Sequence, residues 1–369
     1  MALSKIDTTN MIEDVPQSKL DNNINFRNII INGDMSIAQR STSVASVTST
    51  GYYTIDRWNW QSDYGTVTLS QDTDVPTGQG FVKSFKADVT TAGTVGAGGT
   101  VVLRQKVEGK NLQYLKKGTS SAESLTCSFW IKSTKTGTYI CELFDVDNTR
   151  QISKAYTVSA SDTWEKKTIT FDGDTTGALG NDNGNSLQIN WYLSAGSDYT
   201  SGTLSTTWTA STNANRAVGQ VDAQDNTSNN IYLTGVQLEV GQTASEFEFL
   251  PFEANLRRCL RYHFDTTSAV NGEAGSGLGG LMVFKAFNAN EAAGYNAFPV
   301  PMRGNPTITV TDNSGTNGKI HRFAVGDVGS NITFGNVSNT AICACNETST
   351  FTTSEPNLYG GRIRADAEL

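Results

Sequence analysis

Thr234-Gly-Val-Gln-Leu-Glu-Val-Gly-Gln-Thr-Ala-Ser-Glu-Phe-Glu-Phe-Leu-Pro-Phe-Glu-Ala-Asn-Leu-Arg-Arg-Cys-Leu-Arg-Tyr-His-Phe264 changes period twice, and those changes divide the chain. Val236, Leu238 and Val240 alternate with Gln237 and Glu239, the pattern of a strand with one buried face. After Gly241 the alternation resumes at Phe247 and Phe249, with Leu250 behind them. Past Pro251 the apolar residues Leu256, Cys259, Leu260 and Phe264 recur at three and four, separated by Arg257, Arg258 and Arg261. That spacing predicts a short amphipathic helix within residues 252–264. Glu253 at its start and the arginines toward its end suit the helix dipole.

Working outward, the 369 residues hold 35 Gly but only 7 Pro, and helical periodicity is otherwise weak, so the chain reads as all-β with many turns. The formal net charge is −8 and no basic cluster exists beyond the helix arginines, which argues against a nucleic-acid partner. No run of eighteen apolar residues occurs and the N-terminus lacks a signal-peptide core, so synthesis in the cytoplasm is expected. Five cysteines without Cys-x-x-Cys spacing read as reduced core residues. Cys343 and Cys345 share a strand face but have no further ligands nearby, and neither metal nor cofactor is expected.

Residues 1–27 carry isolated apolar side chains too sparse to bury a core, and read either as a flexible tail or as an anchor that orders against a larger assembly. Residues 28–251 hold about a dozen alternating strands, including Ile29 to Asn32, Trp58 to Gln61, Leu125 to Lys132, Leu187 to Leu193 and Asn230 to Val240. Two packed antiparallel sheets, a jelly-roll β-sandwich, follow from that number. Ala195 to Asn229 reads as a long surface loop. Residues 265–369 form a second, smaller β-sandwich-like tip domain after the linker helix, with strands at Gly280 to Phe287, Ala297 to Val300 and Leu358 to Ala367 among others.

Several segments carry a resemblance. The Gly-Val-Gln-Leu-Glu-Val-Gly run with its Phe-rich sequel, Asn28-Ile-Ile-Ile-Asn-Gly-Asp-Met-Ser-Ile-Ala-Gln-Arg40, Tyr53-Thr-Ile-Asp-Arg-Trp58, Ser128-Phe-Trp-Ile-Lys-Ser133, Pro299-Val-Pro-Met-Arg-Gly-Asn-Pro306 and Ala365-Asp-Ala-Glu-Leu369 stand in matching order. Together they resemble tail-fibre and related virion appendage proteins of tailed bacteriophages. The resemblance implies a jelly-roll module with a C-terminal β tip, an N-terminal segment docking on other virion tail proteins, a homotrimer, and attachment to a host cell-surface glycan or protein.

The residues offer little for catalysis. His263 and His321 are the only histidines, and neither neighbours a nucleophile-elbow Ser or Cys. Asp145, Asp147, Asp172 and Asp174 could serve as catalytic acids or calcium ligands, but read more simply as turn acids, and an enzyme is not expected. Gly96-Ala-Gly-Gly99 and Gly275 to Gly280 lack the strand–helix context of a nucleotide loop. For sugars, Trp58 and Trp60 share one strand face and Trp208 stands alone in a polar loop, so these three are the candidate glycan contacts, whereas Trp130 reads as core. The helix face of Leu256, Cys259, Leu260 and Phe264 either packs three copies about an axis, as the candidate trimer contact, or covers one end of its own sandwich.

The reading is a virion attachment protein acting through weak multivalent glycan contacts. The alternatives are a purely structural virion component, an adaptor or head decoration, and a polysaccharide-degrading tail protein.

Overall fold

The computed structural model describes residues 26–266, 282–312, 316–354 and 357–369. The anchor reading of residues 1–27 and the Gly275 to Gly280 run therefore lie wholly or mainly outside the described residues.

The fold is all-β, a jelly-roll-like sandwich of two six-stranded antiparallel sheets. Its strands are β1 (Ser43–Val47), β2 (Asn59–Ser62), β3 (Thr66–Asp72), β4 (Ser84–Thr91), β5 (Thr100–Glu108), β6 (Leu125–Ser133), β7 (Gly137–Asp145), β8 (Arg150–Val158), β9 (Glu165–Phe171), β10 (Asn185–Ala195), β11 (Thr209–Ala210) and β12 (Asn230–Val240). One sheet runs β1-β3-β4-β12-β6-β9 and the other β11-β8-β7-β10-β5-β2. Alternation decides what faces inward. Cys127, Phe129 and Ile131 of β6 meet Leu187, Ile189, Trp191 and Leu193 of β10 in one continuous core. Trp191 packs its ring 5.4 Å from Trp58 and edge-on to Phe129 at 5.7 Å.

Ile29 to Asn32 does not form the expected strand. Ile29 N donates to Leu238 O, but side chains replace the rest of the ladder: Asn28 Nδ2 donates to Val236 O, and Gln105 exchanges two bonds with the Ile31 backbone. The Phe247–Phe249 alternation likewise joins no sheet. Glu248 accepts from Asn28 N, and the two rings close on Phe81 at 5.1 and 5.2 Å. Gly33 is required where the first of these segments meets β12, because an added Cβ would lie 2.0 Å from the Val236 carbonyl oxygen. Gly33→Ala is expected to cost about 1–3 kcal/mol through overpacking, read as a lower urea midpoint.

The loop from Ala195 to Asn229 is ordered over the outer face of the β10 sheet. It contains a short helix, α1 (Ser197–Thr200), and packs Tyr199, Leu204 and Ala217 against Val102, Ile140 and Tyr192.

The linker helix α2 (Phe252–Leu260) is shorter than expected. His263–Asp265 is instead a strand, β13, pairing with the C-terminal strand, so Phe264 sits opposite Ala365 and not on a helix. Ladder bonds from a distant strand override the local three-four spacing there. Cys259 is fully buried against Ile31, Ile37 and Tyr262, with Leu256 beside them, and Leu260 is also buried. The face offered as a trimer contact is thus covered by its own chain.

Beyond it lie β14 (Met282–Asn288), β15 (Glu291–Ala297), β16 (Thr307–Thr311), β17 (Ile320–Arg322), β18 (Gly326–Val328), β19 (Thr333–Val337), β20 (Ala341–Asn346) and β21 (Leu358–Asp366). With β13 they form a nine-stranded sheet around its own core of Phe284, Ile320, Ile342, Tyr359 and Ile363. Ala297 to Val300 is no strand of its own, since β15 ends at Ala297.

The end of the chain returns to the sandwich. Arg40 binds Asp366 at 2.9 Å, and buried Arg57 pairs with Glu368. Burial works against the Asp366 carboxylate, but His263 and Arg40 more than offset it and hold the carboxyl down to about 2, below the ordinary 3.8. A depressed carboxyl stabilises the fold above its ordinary value, and the contribution is lost as pH falls through the folded one. Asp366→Asn is therefore expected to flatten the fall in stability between about pH 4 and pH 2, by less than about 1 kcal/mol because the side chain is 44% exposed. Urea midpoints of both proteins across that range test it.

Candidate functional site

Inward alternation on one face of a strand means outward alternation on the other. With Leu187, Ile189, Trp191 and Leu193 in the core, Gln188, Asn190 and Tyr192 of β10 face outward. By the same rule Val102, Arg104 and Lys106 of β5, and Glu142 and Phe144 of β7, share that face. Tyr199 and Arg216 reach over it from the covering segment, and Gln61 stands at the far edge on β2. Of these side chains Gln61, Arg104, Phe144, Gln188, Tyr199 and Arg216 line a groove of about 210 Å³, whereas Lys106 lines a neighbouring cavity beside Tyr262.

The floor is held by Glu142, which is fully buried. Arg216 donates from Nε and Nη2 to its two oxygens, each at 2.8 Å, Asn190 Nδ2 donates at 2.8 Å and the Tyr192 hydroxyl at 3.3 Å. The Arg216 guanidinium lies 4.6 Å from the centre of the Phe144 ring. Burial disfavours its charge, but the Glu142 bonds more than offset this and raise its pKa above the ordinary arginine value. Burial raises the Tyr192 hydroxyl strongly, so it stays a neutral donor. Asn190 Oδ1 and Arg104 Nε have no hydrogen-bond partner, and Arg104 Nη1 reaches only Gln188 Oε1, at 3.3 Å. The groove therefore combines aromatic rings, amide groups and the partly open Arg104 guanidinium, the requirements for a small polar ligand.

The candidates taken from the sequence lie elsewhere. Trp58 is 3% and Trp60 1% exposed, so neither can offer a ring to a sugar, because both complete the inter-sheet core. Trp208 is half-buried: its Nε1 donates to Asp172 O at 2.7 Å and Lys117 lies 5.2 Å over its ring. Trp130, read as core, is half-buried on the outer face of the first sheet. Asp145 and Asp174 are buried and bind Lys117 at 2.5 and 2.9 Å, and Asp174 also takes a two-pronged bond from Arg150. Burial raises the Asp174 pKa, but these cations outweigh it and lower the carboxyl, the signature of a structural ion network rather than of an acid catalyst. His263 is buried beside Asp366, and His321 bonds Asp327 at 2.7 Å across a turn.

Glu142, Asn190 and Arg216 escaped the sequence reading. The only signal was a carboxylate between apolar Cys141 and Leu143, a position that requires a partner once buried. That partner lies 74 residues away.

No family model and no curated protein matches the chain. Among solved structures it is similar to the enzymatically active domain of bacteriophage CBA120 tailspike protein 4, at 15% identity and TM-score 0.31 over 58% of this chain and 22% of that one. It is also similar to a CBM4 module (14% identity, TM-score 0.30, 57% and 98% covered) and to TmCBM61 in complex with β-1,4-galactotriose (10% identity, TM-score 0.30, 58% and 99% covered).

Proposed function

We propose that the chain is a glycan-binding attachment protein of a tailed-phage appendage, a tail fibre whose sandwich groove contacts a host-surface sugar. The observation that carries the binding is the groove itself: Gln61 and Gln188, both partly open, present amides beside Tyr199 and Phe144, above the buried Asn190 and Tyr192. Sugar hydroxyls pair with amides while the pyranose ring lies on aromatic faces. The virion setting rests on the ordered resemblance of segments along the chain, and with it come docking on tail proteins through the N-terminal segment and three copies per appendage. Three copies would present three grooves, so weak individual contacts suffice. Binding without turnover is favoured because no carboxylate lines the groove wall and Glu142 beneath it is held by Arg216.

A panel of immobilised polysaccharides tests the reading. Gln61→Ala with Gln188→Ala is expected to weaken binding at least tenfold, roughly the value of one or two hydrogen bonds, with little change in melting temperature. Retention of full affinity by this variant would place the glycan contact outside this groove, and no binding to any polysaccharide would favour the purely structural alternative. Release of oligosaccharides from the panel would overturn the non-enzymatic part, and light scattering tests the trimer.

A further inference from the structure

We infer that the groove takes an acidic sugar, whose anionic substituent is held by Arg104. The inference rests on the glycan-binding reading and specifies its ligand class.

The ion pairs along this face are unevenly distributed. Arg216 neutralises Glu142, Arg57 and Arg40 hold Glu368, and Arg261 holds Glu108 through two bonds at 2.9 and 2.7 Å. Arg104 and Lys106 form no ion pair with an Asp or Glu among the described residues. Arg104 has the neutral Gln188 oxygen at 3.3 Å and an unpartnered Nε, and Lys106 Nζ donates to Leu369 O. Two residues apart on β5, they share a face about 6.6 Å from one another, Arg104 lining the groove and Lys106 the neighbouring cavity beside Tyr262. Both remain partly open to solvent.

Their titration agrees with this geometry. Burial lowers the Arg104 pKa and Arg216 repels its charge. Burial, followed by repulsion from Arg104, Arg57 and Arg303, pushes the Lys106 ammonium down to about 8. A carboxylate or a phosphate or sulfate ester seated on the guanidinium would relieve both, and the planar fork of arginine matches such a group with two parallel bonds. Neutral hydroxyls would meet Gln61 and Gln188 on either side.

The test measures binding of the full chain to polygalacturonate, to neutral galactan and to a phosphorylated mannan, with melting curves as the folding control. Tighter binding to polygalacturonate or phosphomannan than to galactan, by tenfold or more, supports the inference, and which polymer wins identifies the anion. Arg104→Gln should abolish that preference, whereas Gln61→Ala with Gln188→Ala should weaken binding to acidic and neutral polymers alike. Equal affinity for acidic and neutral polymers, lost in the Gln61→Ala, Gln188→Ala variant, would overturn the acidic-sugar inference and leave the groove standing. Binding unmoved by every groove substitution would overturn both.

Discussion

Arg57→Met is expected to cost about 3–5 kcal/mol of folding stability, because it removes one partner of a buried ion pair and strands the other. Arg57 is fully buried at a left-handed backbone position (φ 74°), its guanidinium 3.4 Å from the centre of the Tyr262 ring. It pairs with Glu368 and donates to Lys106 O at 2.7 Å. Through these contacts one side chain joins the sandwich, the segment after α2 and the C-terminal residues. Glu368 is only 4% exposed, and Arg40 at 3.4 Å offers it incomplete compensation. Urea titrations followed by tryptophan fluorescence measure the loss. The double variant Arg57→Met, Glu368→Leu should recover part of it, since no charge is then left buried. A loss below about 1 kcal/mol in the single variant would sink the argument.

Glu142→Ala is expected to cost a similar amount, about 3–5 kcal/mol, and to remove ligand binding as well. Its carboxylate accepts from Arg216, Asn190 and Tyr192 at once, so its loss frees four donors on three side chains beneath the groove. Released from Glu142, Arg216 no longer fastens the covering segment to β7. Glu142→Gln keeps the shape and one acceptor and should lose less stability. Melting temperature and polysaccharide affinity should fall together across the two variants. If affinity held while stability fell, Glu142 would support the fold without shaping the groove.

Much of the architecture was legible because strand alternation is local. Val236, Leu238 and Val240 mark β12 without reference to any other residue, and Asn230–Val240 has the expected bounds. β1 was missed because Ser43–Val47 lies mostly exposed at a sheet edge and has no buried face to leave a pattern. β15 was missed because Ala292, Ala293 and Gly294 are small residues with little hydrophobic contrast. The site was less legible. Trp58, Trp60 and Trp208 were chosen for chemistry that aromatic rings can perform, but the second sheet and Lys117 cover them.

By itself, then, the sequence determined an all-β chain, its main strands and a helix after Pro251, since backbone period follows from neighbouring side chains. Only the tertiary structure decided which face of β10 is open, where α2 stops and which charges are paired. Those outcomes depend on contacts across 74 residues at Arg216–Glu142 and 311 at Arg57–Glu368, which no local period encodes.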